Sequence, residues 1–156
     1  MSESATTEIR SLLIPLAASR LLLPNAAVAE VLDYQALQPQ AGTPDWYLGR
    51  LAWRGISIPV ISFEGLLGGE VAAPGRRGRI LVLNTLNGNP ELTHIGLVSQ
   101  AIPSLVRVAA ENVESAETSG LAGGPVKQAV HIDGELALIP DLDELEEQLL
   151  AVQPVS

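Results

Sequence analysis

A mainly β fold of short strands, closed by one helix near its end, is what this chain predicts, and three observations carry that expectation. Eleven prolines and fourteen glycines, set against one Phe, two Trp and two Tyr, divide 156 residues into many brief elements packed by aliphatic side chains. Apolar residues alternate at two-residue spacing, as in Ile56, Ile58 and Val60, which gives a strand one apolar face. Turn dipeptides, Arg54-Gly55, Asn87-Gly88 and Asp133-Gly134, stand between apolar runs where a tight hairpin needs them. With 47% apolar residues the chain has ample material for a core, enough for one domain of ordinary size.

The elements follow in order. Met1 to Glu8 is polar and lacks the apolar surface to offset ordering entropy, so residues 1–9 are expected to be disordered. Ser11 to Leu16 and Arg20 to Leu23 form a hairpin around Ala17, Ala18 and Ser19, with Pro15 marking an edge or bulge. Asn25 offers an N-cap for a short helix, AAVAEVL, with Val28, Val31 and Leu32 on one face and Glu30 opposite. A polar loop from Gln38 to Asp45 leads to Trp46. From there a strand runs to Arg54-Gly55, a second strand runs from Ile56 to Ile61, and a short helical turn enters Gly68-Gly69. Trp46 and Trp53 read as core or interface packing residues.

Gly69 to Gly78 is a turn-rich connector. Ile80 to Leu83 and Ile95 to Val98 are buried strands around Asn87-Gly88, and Leu105 to Val108 is a further short strand. Glu111 to Pro125 is a loop of small residues. Val126 to Ile139 closes as a hairpin, with Val130 and Ile132 before Asp133-Gly134 and Leu136 and Leu138 after it. Asp141 caps the last helix with Glu144 three residues on, and Leu142, Leu145, Leu149 and Leu150 make its apolar stripe. Asp143, Glu144, Glu146 and Glu147 fall near its start, where the helix dipole favours acids, and read as a solvated face.

Chemistry is sparse. The absence of cysteine removes disulfides, zinc-thiolate sites and thiol nucleophiles. His94 and His131 sit in no metal-binding or triad-like spacing, Lys127 is the only lysine, and no phosphate-gripping loop is present. The expectation is a protein that is not an enzyme and carries neither metal nor cofactor. A net charge of -9 argues against a nucleic-acid partner. The start of the chain lacks the features of a signal peptide, and no apolar run approaches the ~20 residues that span a bilayer, so a cytoplasmic protein without direct membrane insertion is expected. Arg76, Arg77 and Arg79 leave open the reading of a small β-barrel that binds an anion or other ligand, and a purely structural subunit is a further one.

The tract from Gly49 to Phe63, GRLAWRGISIPVISF, resembles the signature hairpin of CheW-like domains. Further landmarks are similar in the same order: Val28-Ala29-Glu30-Val31, Pro44 to Gly49, Ile95-Gly96-Leu97-Val98, and the Asp133-Gly134 hairpin leading to Asp141-Leu142. Trp53 stands where the family prefers Leu, Ser62-Phe63 replaces Asp-Leu, and the acidic residue usual after Val98 is absent. These departures suit an accessory member, for instance in a pilus-motility chemosensory system.

The resemblance implies one domain over residues 10–150, built as two SH3-like five-stranded β-barrels. The first is expected mainly from 10–70 and the second from 78–140, followed by a terminal helix at 141–150 and a tail at 151–156. It implies an adaptor coupling the cytoplasmic tip of a methyl-accepting chemoreceptor to the regulatory domain of a CheA-type histidine kinase, with self-association in membrane-recruited arrays. By the same resemblance the receptor groove takes Val28, Val31, Arg54, Gly55, Ile56, Leu97 and Val98, and Glu30 approaches Arg54 as a structural ion pair.

Overall fold

The computed structural model describes residues 9–71, 74–90, 92–109, 112–115 and 125–152. The expected frayed start therefore lies outside the described residues up to position 8, as do positions 116–124 of the small-residue loop and the tail from 153 onward. Eleven strands are described: β1 (Ile9–Pro15), β2 (Arg20–Pro24), β3 (Val28–Asp33), β4 (Tyr47–Trp53), β5 (Ile56–Ile61), β6 (Arg79–Asn84), β7 (His94–Ser99), β8 (Ser104–Val108), β9 (Val113–Ser115), β10 (Val126–Ile132) and β11 (Glu135–Pro140). Two helices join them, α1 (Phe63–Leu66) and α2 (Leu142–Ala151).

The strands form two sheets, six-stranded in the order β9-β10-β11-β2-β1-β8 and five-stranded in the order β3-β6-β7-β5-β4. Each sheet curls around a core of its own. In the first, Leu22, Val130, Ile132 and Ala137 pack together; in the second, Leu51, Trp53, Ile58, Val60, Ile80, Val82 and Val98 do. A third, larger core lies between the sheets and joins Leu12, Ile14, Leu21 and Leu23 to Ile61, Leu81, Leu83, Ile95 and Leu97. Strands β2 and β6 consequently bury both faces, Leu22 against Leu21 and Leu23, and Ile80 and Val82 against Leu81 and Leu83. That double burial is why they read as unbroken apolar runs with no alternation.

The sheets do not divide the chain in the order expected. Strands β1 and β2 leave the N-terminal half and pair with late strands, β1 with β8 and β2 in parallel with β11 at Leu138 and Leu21. Strands β3 to β7 make up the other sheet, in which Val60 and Ile61 of β5 run parallel to Gly96 and Leu97 of β7. Hairpin signals specify neighbours a few residues apart and say nothing about parallel pairings between strands far apart in the chain.

The expected helix at AAVAEVL is a strand. Only Asn25–Ala27 forms a 3-10 turn, which has no side-chain cap, and Val28 then begins β3, paired with β6 from Val28 and Leu83 to Asp33 and Arg79. Val28, Val31 and Leu32 fit a helical spacing, but Val28, Glu30 and Leu32 equally fit an alternating one. The available edge of β6 decides between them.

The Arg54-Gly55 and Asp133-Gly134 turns both have two residues at positive φ, 48° and 81° in the first and 50° and 84° in the second, as type I′ hairpins require. Gly49, at φ 146°, is needed for a close approach, since a Cβ there would lie 2.6 Å from the carbonyl oxygen of Gln38. Its neighbour Arg50 exchanges backbone hydrogen bonds with Gln38 at 2.8 and 2.9 Å, which brings the segment after β3 against the outer edge of β4. Pro15 ends β1, where its missing N–H costs no ladder bond.

Two carboxylates tie elements together where the sequence suggested solvated acids or nothing at all. Glu64 of α1 accepts from the backbone N–H groups of Ala17 and Ala18 at 2.9 and 2.8 Å and from the Ser19 hydroxyl at 3.1 Å, holding the β1–β2 turn. Glu146 is 1% exposed, so it does not belong to a solvated acidic face. It accepts from Leu86 N–H at 2.6 Å and from the Asn87 amide at 3.2 Å, fastening α2 to the β6–β7 connection. Asp141 caps α2 by accepting from Glu144 N–H at 3.1 Å, and Leu145 and Leu149 enter the shared core while Leu150 stays exposed.

Candidate functional site

The tip of the β4–β5 hairpin and the middle of β3 meet at one place. Strands β3 and β4 are the two edges of the five-stranded sheet, and a single oxygen, Glu30 Oε1, spans the seam between them. It accepts the Trp53 indole N–H at 2.9 Å and an Arg54 guanidinium N–H at 3.1 Å. The Arg54 guanidinium also lies 4.9 Å from the centre of the Trp53 ring, a cation–π distance. On the same indole packs the His94 ring, its centroid 4.6 Å away and its plane tilted by 56°. Four side chains from β3, the hairpin and the start of β7 therefore share one cluster.

Magnitudes separate these contacts. The Arg54–Glu30 pair is made through one guanidinium nitrogen, and the Arg54 side chain is 67% exposed, so the pair contributes only ~0–1 kcal/mol. Trp53 is nearly buried, and a hydrogen bond from its indole to a charged acceptor is worth ~1.5–3 kcal/mol. Against these stands the backbone of Arg54. A φ of 48° in a residue with a Cβ costs roughly 1–2 kcal/mol, and asparagine, aspartate or glycine would suit the position better. The turn thus holds an unfavourable residue whose charge faces solvent, a pattern that points to use of the side chain.

The other expected groove residues separate. Gly55 and Ile56 lie beside the cluster, and Ile56 is 40% exposed. A bulge between Val28 and Glu30 puts them on opposite faces of β3: Glu30 pairs with Val82 of the five-stranded sheet's own core, whereas Val28, half-buried against the shared core, and Val31, also 40% exposed, pair with Leu83 and Leu81 on the other face. Leu97 and Val98 are buried, Leu97 in the core between the sheets and Val98 inside the five-stranded one, so neither lines a groove open to a partner. Both were expected there; successive residues of a strand buried on both faces cannot reach a common surface.

The sequence marks Trp53 as a core or interface packing residue and His94 only as a histidine outside any metal-binding or triad-like spacing. The signal that could have revealed Trp53 is its place directly before Arg54, since an indole at a strand end brings a donor that needs a partner. Nothing in the sequence places His94 near either.

The pKa of His94 lies below its usual 6.5, first because of burial and then because of the positive charge of Arg54. The folded state therefore prefers the neutral ring, and the unfolded chain takes up the proton at higher pH. Stability supplied by His94 is present above pH 6.5 and is lost as the pH falls from there through the lower folded value. Thermal melts between about pH 7.5 and 5, above most carboxylate titration, should show a decline that His94→Gln removes; an unchanged decline in that variant would assign it elsewhere.

The arginine cluster offers less for an anion than the sequence suggested. Arg79 lies 3.5 Å from Asp33 and donates to the carbonyls of Arg77 and Gly78, while Arg76 and Arg77 are exposed. Among the described residues no group of three or more His, Asp or Glu side chains is placed to hold a metal ion, and no helix is long and apolar enough to cross a membrane.

The family model for the CheW-like domain matches residues 10–149. The chain belongs to that family. Its fold is similar to that of the scaffolding protein TtCheW from Thermoanaerobacter tengcongensis, with a TM-score of 0.72 at 20% identity over 87% of this chain and 90% of that one. No match is found among curated proteins. Within the CheW-like frame, the expectation of a mainly β fold with a C-terminal helix holds, and two sheets stand where two five-stranded barrels were expected. It needs one refinement, since one sheet has six strands and not five. The departures also acquire physical sense: Ser62 caps α1 by accepting from Gly65 N–H at 3.2 Å, as an aspartate would, and Phe63 is buried in the shared core.

Proposed function

We propose that this CheW-like protein is a non-catalytic adaptor that couples the cytoplasmic tip of a methyl-accepting chemoreceptor to the regulatory domain of a CheA-type histidine kinase. The domain of residues 10–150 would act in the cytoplasm and be recruited to receptor arrays. The observation that carries the reading is Arg54, held at a hairpin tip in an unfavourable backbone conformation with its guanidinium presented to solvent. Exposed Ile56 lies next to it, and Val28 and Glu30 lie on the facing edge strand. An apolar contact beside a partly free cation suits a specific, reversible interface with a helical tip bearing apolar side chains and a carboxylate. Membership of the family supports the class of partner, and the departures at Trp53 and Ser62-Phe63 fit an accessory adaptor, such as one serving pilus-based motility.

The test separates binding from folding. Purified protein should capture both a receptor signalling tip and a kinase regulatory domain from the same cell. Arg54→Asn should weaken receptor capture by about tenfold, equivalent to about 1.4 kcal/mol. The same variant should melt at the same or a higher temperature, because asparagine accepts the turn geometry. Kinase capture should be unchanged. Capture of neither partner, under conditions where an established adaptor binds both, would overturn the proposal.

A further inference from the structure

We propose that Trp53 is the positioning residue of the Arg54 site: its indole N–H fixes the Glu30 carboxylate, and its ring supports the guanidinium that a partner would meet. The ion pair alone cannot fix the guanidinium. One contact at 3.1 Å through Nη2, on an arginine that is mostly exposed, leaves the guanidinium free to swing. Glu30 Oε1 is nevertheless defined, because the indole donor reaches it at 2.9 Å from a side chain that is itself buried inside the five-stranded sheet. A donor on a rigid, packed ring has one direction in which to point, and that direction crosses the seam between β3 and β4.

The same ring sits 4.9 Å from the guanidinium carbon, and His94 packs on it at 4.6 Å, so the indole is held by its neighbours and in turn limits where Arg54 can go. Trp53 thus acts through both Glu30 and Arg54 without needing to touch a partner. A leucine at this position would supply apolar volume but neither the donor nor the aromatic face. In such a chain Glu30 would answer to Arg54 alone.

The positioning claim rests on the geometry; its consequence for receptor capture rests on the function proposed above. The full chain, labelled with 15N, gives two indole resonances, which Trp46→Phe and Trp53→Phe assign. Glu30→Gln should move the Trp53 indole proton upfield and speed its solvent exchange, leaving Trp46 unmoved. Trp53→Leu should speed exchange at Arg54 Nε–H, and Trp53→Phe, which keeps a ring and loses the donor, should restore much of that protection. A merely structural tryptophan would show neither the response to Glu30→Gln nor the rescue by phenylalanine. An indole resonance indifferent to Glu30→Gln overturns the proposal, and that measurement leaves Trp53 in place, so it does not depend on a variant folding. Trp53→Leu should also reduce receptor capture as far as Arg54→Asn does. If the resonances respond as stated and capture does not change, the positioning stands and the receptor assignment fails.

Discussion

Replacing Phe63 with alanine should lower the stability of the protein by about 3–5 kcal/mol, the range for truncating a buried phenylalanine. Phe63 opens α1 and is 1% exposed within the core shared by both sheets, where it packs in the same cluster as Leu12 and Leu21 of one sheet and Leu81 and Leu97 of the other. The cavity would therefore open between the sheets and not inside either. At roughly 2–4 °C per kcal/mol for a chain of this size, the melting temperature should fall by on the order of 10 °C. Both tryptophans belong to the part of the chain around the five-stranded sheet, whereas far-ultraviolet dichroism reports on all strands. The two signals should still coincide in the variant, since one core serves both sheets. Separate transitions would show that the sheets unfold independently and that the shared core is not what joins them. Phe63→Leu, which restores the family's more usual residue, should cost much less.

The second large effect is expected at Glu146. Its carboxylate is buried and receives the Leu86 N–H and the Asn87 amide, and Asn87 is also shared with Asp143 at 3.0 Å. Glu146→Leu would remove the acceptor and leave a backbone donor without its partner, at a cost of about 3 kcal/mol. Glu146→Gln keeps a carbonyl oxygen in reach of the same donors, so its loss should be smaller. Denaturant midpoints for the pair measure the difference. Equal losses would show that the position matters for its shape alone, and no loss in either would remove the α2 anchor altogether. Because α2 is held to the β6–β7 connection by Glu146, by the contact of Asp143 with Asn87 and by its leucines, Glu146→Leu should also speed amide exchange through Leu86 and Asn87 before it affects β1 or β2.

What could be read from the order of residues was local. The type I′ turns at Arg54-Gly55 and Asp133-Gly134 are legible because a two-residue reversal demands particular backbone angles, and those angles belong to the residues themselves. The Asp141 cap and the inward leucines of α2 are legible for the same reason, since a cap and a stripe are defined within ten residues. Arg54 and Glu30 could be named through the resemblance of their surroundings to CheW-like domains, before any distance was known.

Only the tertiary structure decided the rest, because the deciding energies arise between segments far apart in the chain. Val28 to Asp33 became a strand because the edge of β6 offered a ladder of hydrogen bonds that a short helix could not match. Leu97 and Val98 left the expected groove once β7 lay inside its sheet with both faces covered. Glu146 changed from a solvated acid to a buried anchor when α2 met the Leu86–Asn87 connection. The division of the site's work among Glu30, Trp53, Arg54 and His94 belongs to this second class. An indole becomes a positioning group only when the fold brings a carboxylate from another strand within 2.9 Å of its nitrogen.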